Sequence, residues 1–106
     1  MQVHNINSSG DRGWFIGNFP KAIIPSTEVE VCYRIEPIGF NQAHYHTRCT
    51  ETVLIASGRA IINGLECTSG TIIVLAPGEV NSVEYIEETT VVSIKTPAGG
   101  NDKVLV

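Results

Sequence analysis

In GFNQAHYHTRCTETVLIASG, residues 39–58, two histidines stand one residue apart, a glutamate follows and a glycine closes the segment. Side chains alternate across a strand, so His44 and His46 share one face if the segment is extended. Residues 47–50 read as a turn, and Glu51 opens a new apolar run that returns beside the histidines. Two imidazoles and one carboxylate on one face form the facial set of non-haem Fe(II) sites, with positions left open for substrate and O2. Zn, Mn, Ni and Co accept the same donors, so these residues imply a divalent metal without choosing it. The competing reading keeps the pocket and drops the metal, with His44 and His46 hydrogen-bonded to Glu51 as polar wall residues.

Such a site needs a rigid frame, and strand signals dominate the chain. WFIGNF (14–19), EVEVCYRIE (28–36), ETVLIAS (51–57), RAIIN (59–63), TIIVLA (71–76), NSVEYIEE (81–88) and TVVSIK (90–95) are rich in β-branched and aromatic residues. Asn63-Gly64 is a two-residue hairpin signal, because a type I′ turn needs positive φ at both positions. Ser57-Gly58, Ser69-Gly70, Pro77-Gly78 and Ala98-Gly99-Gly100 are further breaks. No segment reads as a helix of three turns. Many short strands at this spacing predict an all-β sandwich or small barrel.

Face patterns refine the expectation. In 28–36, Val29, Val31, Tyr33 and Ile35 are the apolar set and are expected inside, with Glu30, Arg34 and Glu36 on a solvated face. In 51–57, Val53 and Ile55 accompany Glu51, while Leu54 and Ala56 lie opposite, so both faces are apolar. A strand apolar on both faces is covered on both. A short chain has little of its own to cover the outer one, which predicts a homodimer through Leu54 and Ala56 or through the region of Trp14 and Phe15.

Composition bounds the function. At 106 residues the chain is one domain with one core. A formal charge of −4 with seven scattered Lys and Arg argues against a nucleic-acid partner. No apolar run approaches the ~20 residues of a membrane-spanning helix, and no leader pattern opens the chain, so a cytoplasmic protein is expected. Cys32, Cys49 and Cys67 are odd in number, without CxxC spacing, and are expected as free thiols.

The stretch 39–58 resembles the first motif of the cupin family, small β-barrels of the jelly-roll type, which reads G-x5-H-x-H-x(3,4)-E-x6-G. His44, His46, Glu51 and Gly58 are in register, and Gly39 stands one residue closer to the first histidine than the motif expects. The second motif reads G-x5-P-x-G-x2-H-x3-N. Gly70 and Gly78 match it, while the proline falls at Pro77, one place late. The resemblance implies a single cupin barrel (a double-stranded β-helix) over residues 1–106, with motif one at 39–58 and motif two at 70–85. It also implies His44, His46, Glu51 and a third histidine as metal ligands. That third histidine is Asn81 here, and the motif's asparagine is Tyr85. Asn81 thus stands as a neutral, weakly donating fourth ligand.

Three function classes follow. The first is a metal-dependent enzyme such as a dioxygenase or isomerase, acting on a small, carbohydrate-like molecule, with His44 and His46 at the reacting centre. The second needs no metal. Sugar-nucleotide ketoisomerases of related barrel fold carry an Arg-Gly-x-hydrophobic stretch that Arg12-Gly13-Trp14-Phe15-Ile16 resembles. There His44 or His46 would move a proton with Tyr85 as partner. The third is a binding or sensing module without turnover. Tyr33, Gln42 and Asn81 are expected to line the pocket. Arg48 reads as a solvated charge in the turn, and Cys49 as an inert buried thiol.

Overall fold

β-Branched residues spaced by turn pairs build strands and nothing else. The computed structural model describes residues 1–106 and contains twelve strands and no helix. In chain order these are β1 (Trp14–Gly17), β2 (Ile24–Pro25), β3 (Glu30–Glu36), β4 (Gly39–Phe40), β5 (His44–His46) and β6 (Thr50–Ser57). They continue with β7 (Arg59–Ile62), β8 (Leu65–Thr68), β9 (Ile72–Leu75), β10 (Val83–Tyr85), β11 (Thr89–Thr96) and β12 (Lys103–Leu105). No helix is long and apolar enough to cross a membrane.

One sheet runs β2-β1-β3-β11-β6-β9, a second β4-β10-β7-β8, and a two-stranded ribbon pairs β12 with β5. Val53, Ile55 and Val91 of the larger sheet meet Ala60, Ile62, Cys67, Val83 and Tyr85 of the smaller one in a single buried cluster. All three cysteines are free and buried, as expected. The Asn63-Gly64 turn joins β7 to β8, with φ of 48° and 81° at its two residues. At Gly58 the chain turns between β6 and β7 at φ 94°. A Cβ there would lie 2.5 Å from the Glu88 carbonyl oxygen. Only glycine fits.

The face assignment of β3 is corrected. Glu30 and Cys32 point inward, at 7% and 1% exposure, whereas Tyr33 and Ile35 are 36% and 56% exposed. The cause is register. β3 pairs with β11 so that Cys32 faces Ser93 and Glu30 faces Lys95. Residues directly opposed in a ladder share a face, and Ser93 and Lys95 are both buried. Polar side chains are needed inside because this part of the barrel encloses a polar cavity rather than a solid core. Tyr33 therefore leaves the expected pocket and lines an outer apolar groove with Ile6, Phe15 and Ile23. On β6 the expected pattern is present: Glu51, Val53 and Ile55 are buried.

Candidate functional site

The cavity lies between the sheets and has a volume of about 540 Å³. The strands β5 and β6, joined by a short turn but lying in different sheets, both contribute to its wall. β5 presents His44 and His46 to one side, as period-2 alternation demands, and β6 presents Glu51. His44 is also bridged to Asn81 by reciprocal backbone bonds, Asn81 N–H to the His44 carbonyl at 2.7 Å and His44 N–H to the Asn81 carbonyl at 3.2 Å. That pairing brings the amide side chain beside the imidazole.

Both histidines are held in the same tautomer. His44 Nδ1 donates to the Gln42 carbonyl oxygen at 3.2 Å. His46 Nδ1 donates to Asp102 Oδ1 at 2.8 Å. Neither acceptor carries a proton to give, so each ring keeps its Nδ1–H and turns an Nε2 lone pair away from these partners. The two rings stand edge to face with centroids 5.3 Å apart. His46 Nε2 is 3.7 Å from Glu51 Oε2. One donor atom each from His44, His46 and Glu51 lies within 4.8 Å of the others.

Asp102 is the residue that sequence reasoning missed. It arrives from the segment after Gly100, 56 positions beyond its histidine, and is 6% exposed. Its second oxygen accepts the backbone N–H groups of Arg48 and Cys49, each at 3.1 Å. One carboxylate thus pins the β5–β6 turn and orients His46. The faint signal was Lys103-Val104-Leu105-Val106, an apolar run after a glycine pair. It forms β12 and carries Asp102 to the site by pairing with β5.

Electrostatics follow the geometry. Burial pushes the Asp102 carboxyl up, but the bonds from His46 and the two backbone amides outweigh it and hold it well below the usual range. For Glu51, burial again acts upward and the facing His46 overcomes it, leaving a depressed value. His46 is raised, chiefly by Glu51 and against the effect of burial, with Asp102 adding to it. His44 is lowered, mainly by burial. Burial lifts Tyr85 to about 12 and Cys49 to about 12, so one is a neutral phenol and the other a thiol, not a thiolate.

The structure brings His44, His46, Glu51, Gln42, Asn81 and Tyr85 to one cavity and leaves Tyr33 outside it. Arg48 is exposed, as expected of a solvated charge in the turn, and its Nη2 also donates to the Gly99 carbonyl at 3.0 Å, tying the C-terminal segment to the turn. Arg34 and Glu36, read as solvated, line the cavity as an ion pair at 3.1 Å. Two imidazoles and a carboxylate with clustered donor atoms suit a divalent cation. The Asn81 Oδ1, buried with no hydrogen-bond partner, is consistent with the same fit.

No family profile matches the chain, and no curated protein matches it in sequence. Solved structures do match in shape. A double-stranded β-helix protein of Klebsiella pneumoniae is 21% identical and superposes with a TM-score of 0.71 over 98% of this chain and 90% of its own. A cupin protein of Bacteroides fragilis is 24% identical over 70% of each chain, with a TM-score of 0.59. A variant of Streptomyces PAC13, solved with uridine, is 14% identical over all of this chain and 91% of its own, at 0.74. The fold is therefore that of double-stranded β-helix, cupin-like proteins.

Proposed function

We propose that this small cupin-like domain is a metal-dependent enzyme acting on a small molecule held in its cavity. His44, His46 and Glu51 hold the divalent ion and Asn81 stands beside them. The observation that carries this reading is the shared tautomer: independent acceptors, the Gln42 carbonyl and Asp102, hold both imidazoles with Nε2 free to ligate. Among the solved structures of similar shape, a bacterial pirin of Escherichia coli was obtained in complex with nickel(II), at 10% identity and a TM-score of 0.67 over 85% of this chain. When bound, such an ion supplies Lewis acidity or an O2-binding position, which suits an isomerase or a dioxygenase. The chain's own residues do the rest. Asp102 fixes His46, Glu51 balances the cation's charge, and the neutral Tyr85 hydroxyl offers a proton donor on the cavity wall.

The test is elemental analysis of untagged protein followed by titration with Zn, Ni, Mn and Fe(II). One ion per chain, lost in His44→Ala, supports the proposal. Folded protein that takes up none of the four refutes it. In that event the ketoisomerase-like reading stands first, because Arg12 and Trp14 line the same cavity as His44 and Tyr85. Metal uptake without turnover of any candidate substrate would favour a binding or sensing role.

A homodimer is part of the proposal. The outer face of the six-stranded sheet exposes Ile35, Ile72 and Val74 at 56%, 61% and 61%, and Leu54 lies directly opposite Ile72 in the ladder. Trp14 turns into the cavity, while Phe15 lines the outer groove with Tyr33, so the dimer surface is assigned to the outer face that carries Leu54 and Phe15. Sedimentation at micromolar concentration should show a dimer that Val74→Lys dissociates. A wild-type monomer would remove this part of the proposal.

A further inference from the structure

The chain carries seven Lys and Arg against eleven Asp and Glu, yet the cavity wall reverses that balance. Arg12, Arg34, Lys95 and Lys103 line it, against Glu36 and Glu51. More than half of the cations have been gathered into one cleft of an acidic protein. Two of them bracket the His46–Glu51 pair. Lys95 stands directly opposite Glu51 in the β6–β11 ladder, and Lys103 directly opposite His46 in the β5–β12 ladder. Opposed residues share a face, so both lysines project on the side of the site.

Their partners leave them available. Lys95 is buried, with its ammonium 4.7 Å from the centre of the Trp14 ring. Its nearest carboxylate oxygen, Glu30 Oε2, is 3.6 Å away, beyond a hydrogen bond, while Glu30 Oε1 is taken by the Gly100 N–H at 3.0 Å. Arg34 is paired with Glu36, and Arg12 with Asp11 at 3.4 Å. Lys103 has no carboxylate within ion-pair distance among the salt bridges of the chain. A second feature faces the same space: Asn81, 8% exposed, keeps an amide oxygen without a partner. Lys95 keeps only a long ion pair to Glu30, at 3.6 Å, and the Asn81 oxygen, which can only accept, is left for a donor on the bound molecule such as a hydroxyl, not for its anionic end.

We propose that the cavity binds a small organic carboxylate, its anionic end drawn between Lys95 and Lys103 and the rest of the molecule held by the polar wall. The proposal rests on the small-molecule pocket described above, but not on the metal. Cavity walls of low dielectric focus the field of these cations on the ligand. A carboxylate is favoured over a phosphate for two reasons. The fold has no helix, hence no helix N-terminus to receive a phosphate. Glu36 and Glu51 on the same wall also penalise a dianion more than a monoanion.

Trp14 is the single tryptophan, and it touches the proposed site, so its fluorescence reports binding directly. The experiment titrates acetate, glycolate, acetamide and inorganic phosphate into protein loaded with zinc and into protein stripped over a chelating resin. Both carboxylates should change Trp14 emission saturably in both forms, and acetamide should bind about tenfold more weakly or worse, as expected when a charge-assisted bond is lost. Lys103→Met should weaken acetate binding by about fivefold to tenfold with unchanged unfolding midpoint and zinc uptake. Lys95→Met should do the same if it folds. Acetamide binding as well as acetate, phosphate binding more tightly than glycolate, or no effect of Lys103→Met would each overturn the proposal. Carboxylate binding that vanishes on stripping and ignores Lys103 leaves the metal reading intact and this one refuted. Carboxylate binding by a protein that takes up no zinc does the reverse.

Discussion

Asp102→Asn separates positioning from bulk, because the two side chains differ by little more than a charge and two protons. Asp102 accepts three hydrogen bonds, His46 Nδ1–H on one oxygen and the Arg48 and Cys49 amides on the other. Asparagine has one oxygen. The two backbone amides can only donate, so the amide oxygen must face them and the NH2 must face His46. Nδ1 then has to accept, its proton moves to Nε2, and the ring loses the lone pair that would ligate. Replacing one buried charge-assisted bond costs about 1.5–3 kcal/mol of stability. Loss of such a supporting partner typically lowers metal affinity ~10–100-fold. The assay is competition for zinc against a chromophoric chelator, beside a urea curve showing that the variant is folded. Nitrogen shifts of His46 should report protonation moving from Nδ1 to Nε2. Unchanged zinc affinity in a folded variant, with the tautomer inverted, would refute the assignment of His46 Nε2 as a ligand.

Asn81→His should tighten zinc binding about tenfold or more by adding an imidazole where the chain has an amide, read by the same competition; no gain in a folded variant would argue against a metal at this place. The two histidines should oppose each other in pH-dependent stability. His46 is raised above its usual 6.5, so its contribution is full below that value and is lost as pH rises through the folded one. His44 is lowered, so protonation opposes folding and stability grows as pH rises towards 6.5. Urea midpoints between about pH 5.5 and 8 should therefore fall with pH in His44→Gln and rise in His46→Gln, and parallel slopes would contradict the environments described. Gly58→Ala should destabilise the fold by roughly 2 kcal/mol or more, since its φ is 94° and the Glu88 carbonyl blocks a Cβ; a neutral result by denaturant titration would show that the turn can relax.

What the chain determined alone is local. Strand after strand is legible because β-branched density and Gly or Pro pairs act over a few residues, and the Asn63-Gly64 hairpin needs no tertiary contact to be specified. The alignment of His44 with His46 is equally local, since period 2 follows from the pleat itself. Glu51 joins them after a turn short enough to count across. The face of β3 was not legible, because apolar residues outside and charged ones inside reverse the usual preference. Its register with β11 decides which set faces in, and that register places Glu30 against Lys95. Asp102 lay furthest from reach. Nothing within a strand's length of His46 announces a partner 56 positions later, and only the pairing of β12 with β5 brings the two together. The same closure delivers Lys103 to the site, while β11 delivers Lys95. Non-local pairing, whose register is set by the packing of whole sheets, chose the groups that orient and charge a site whose ligating residues the sequence had already aligned.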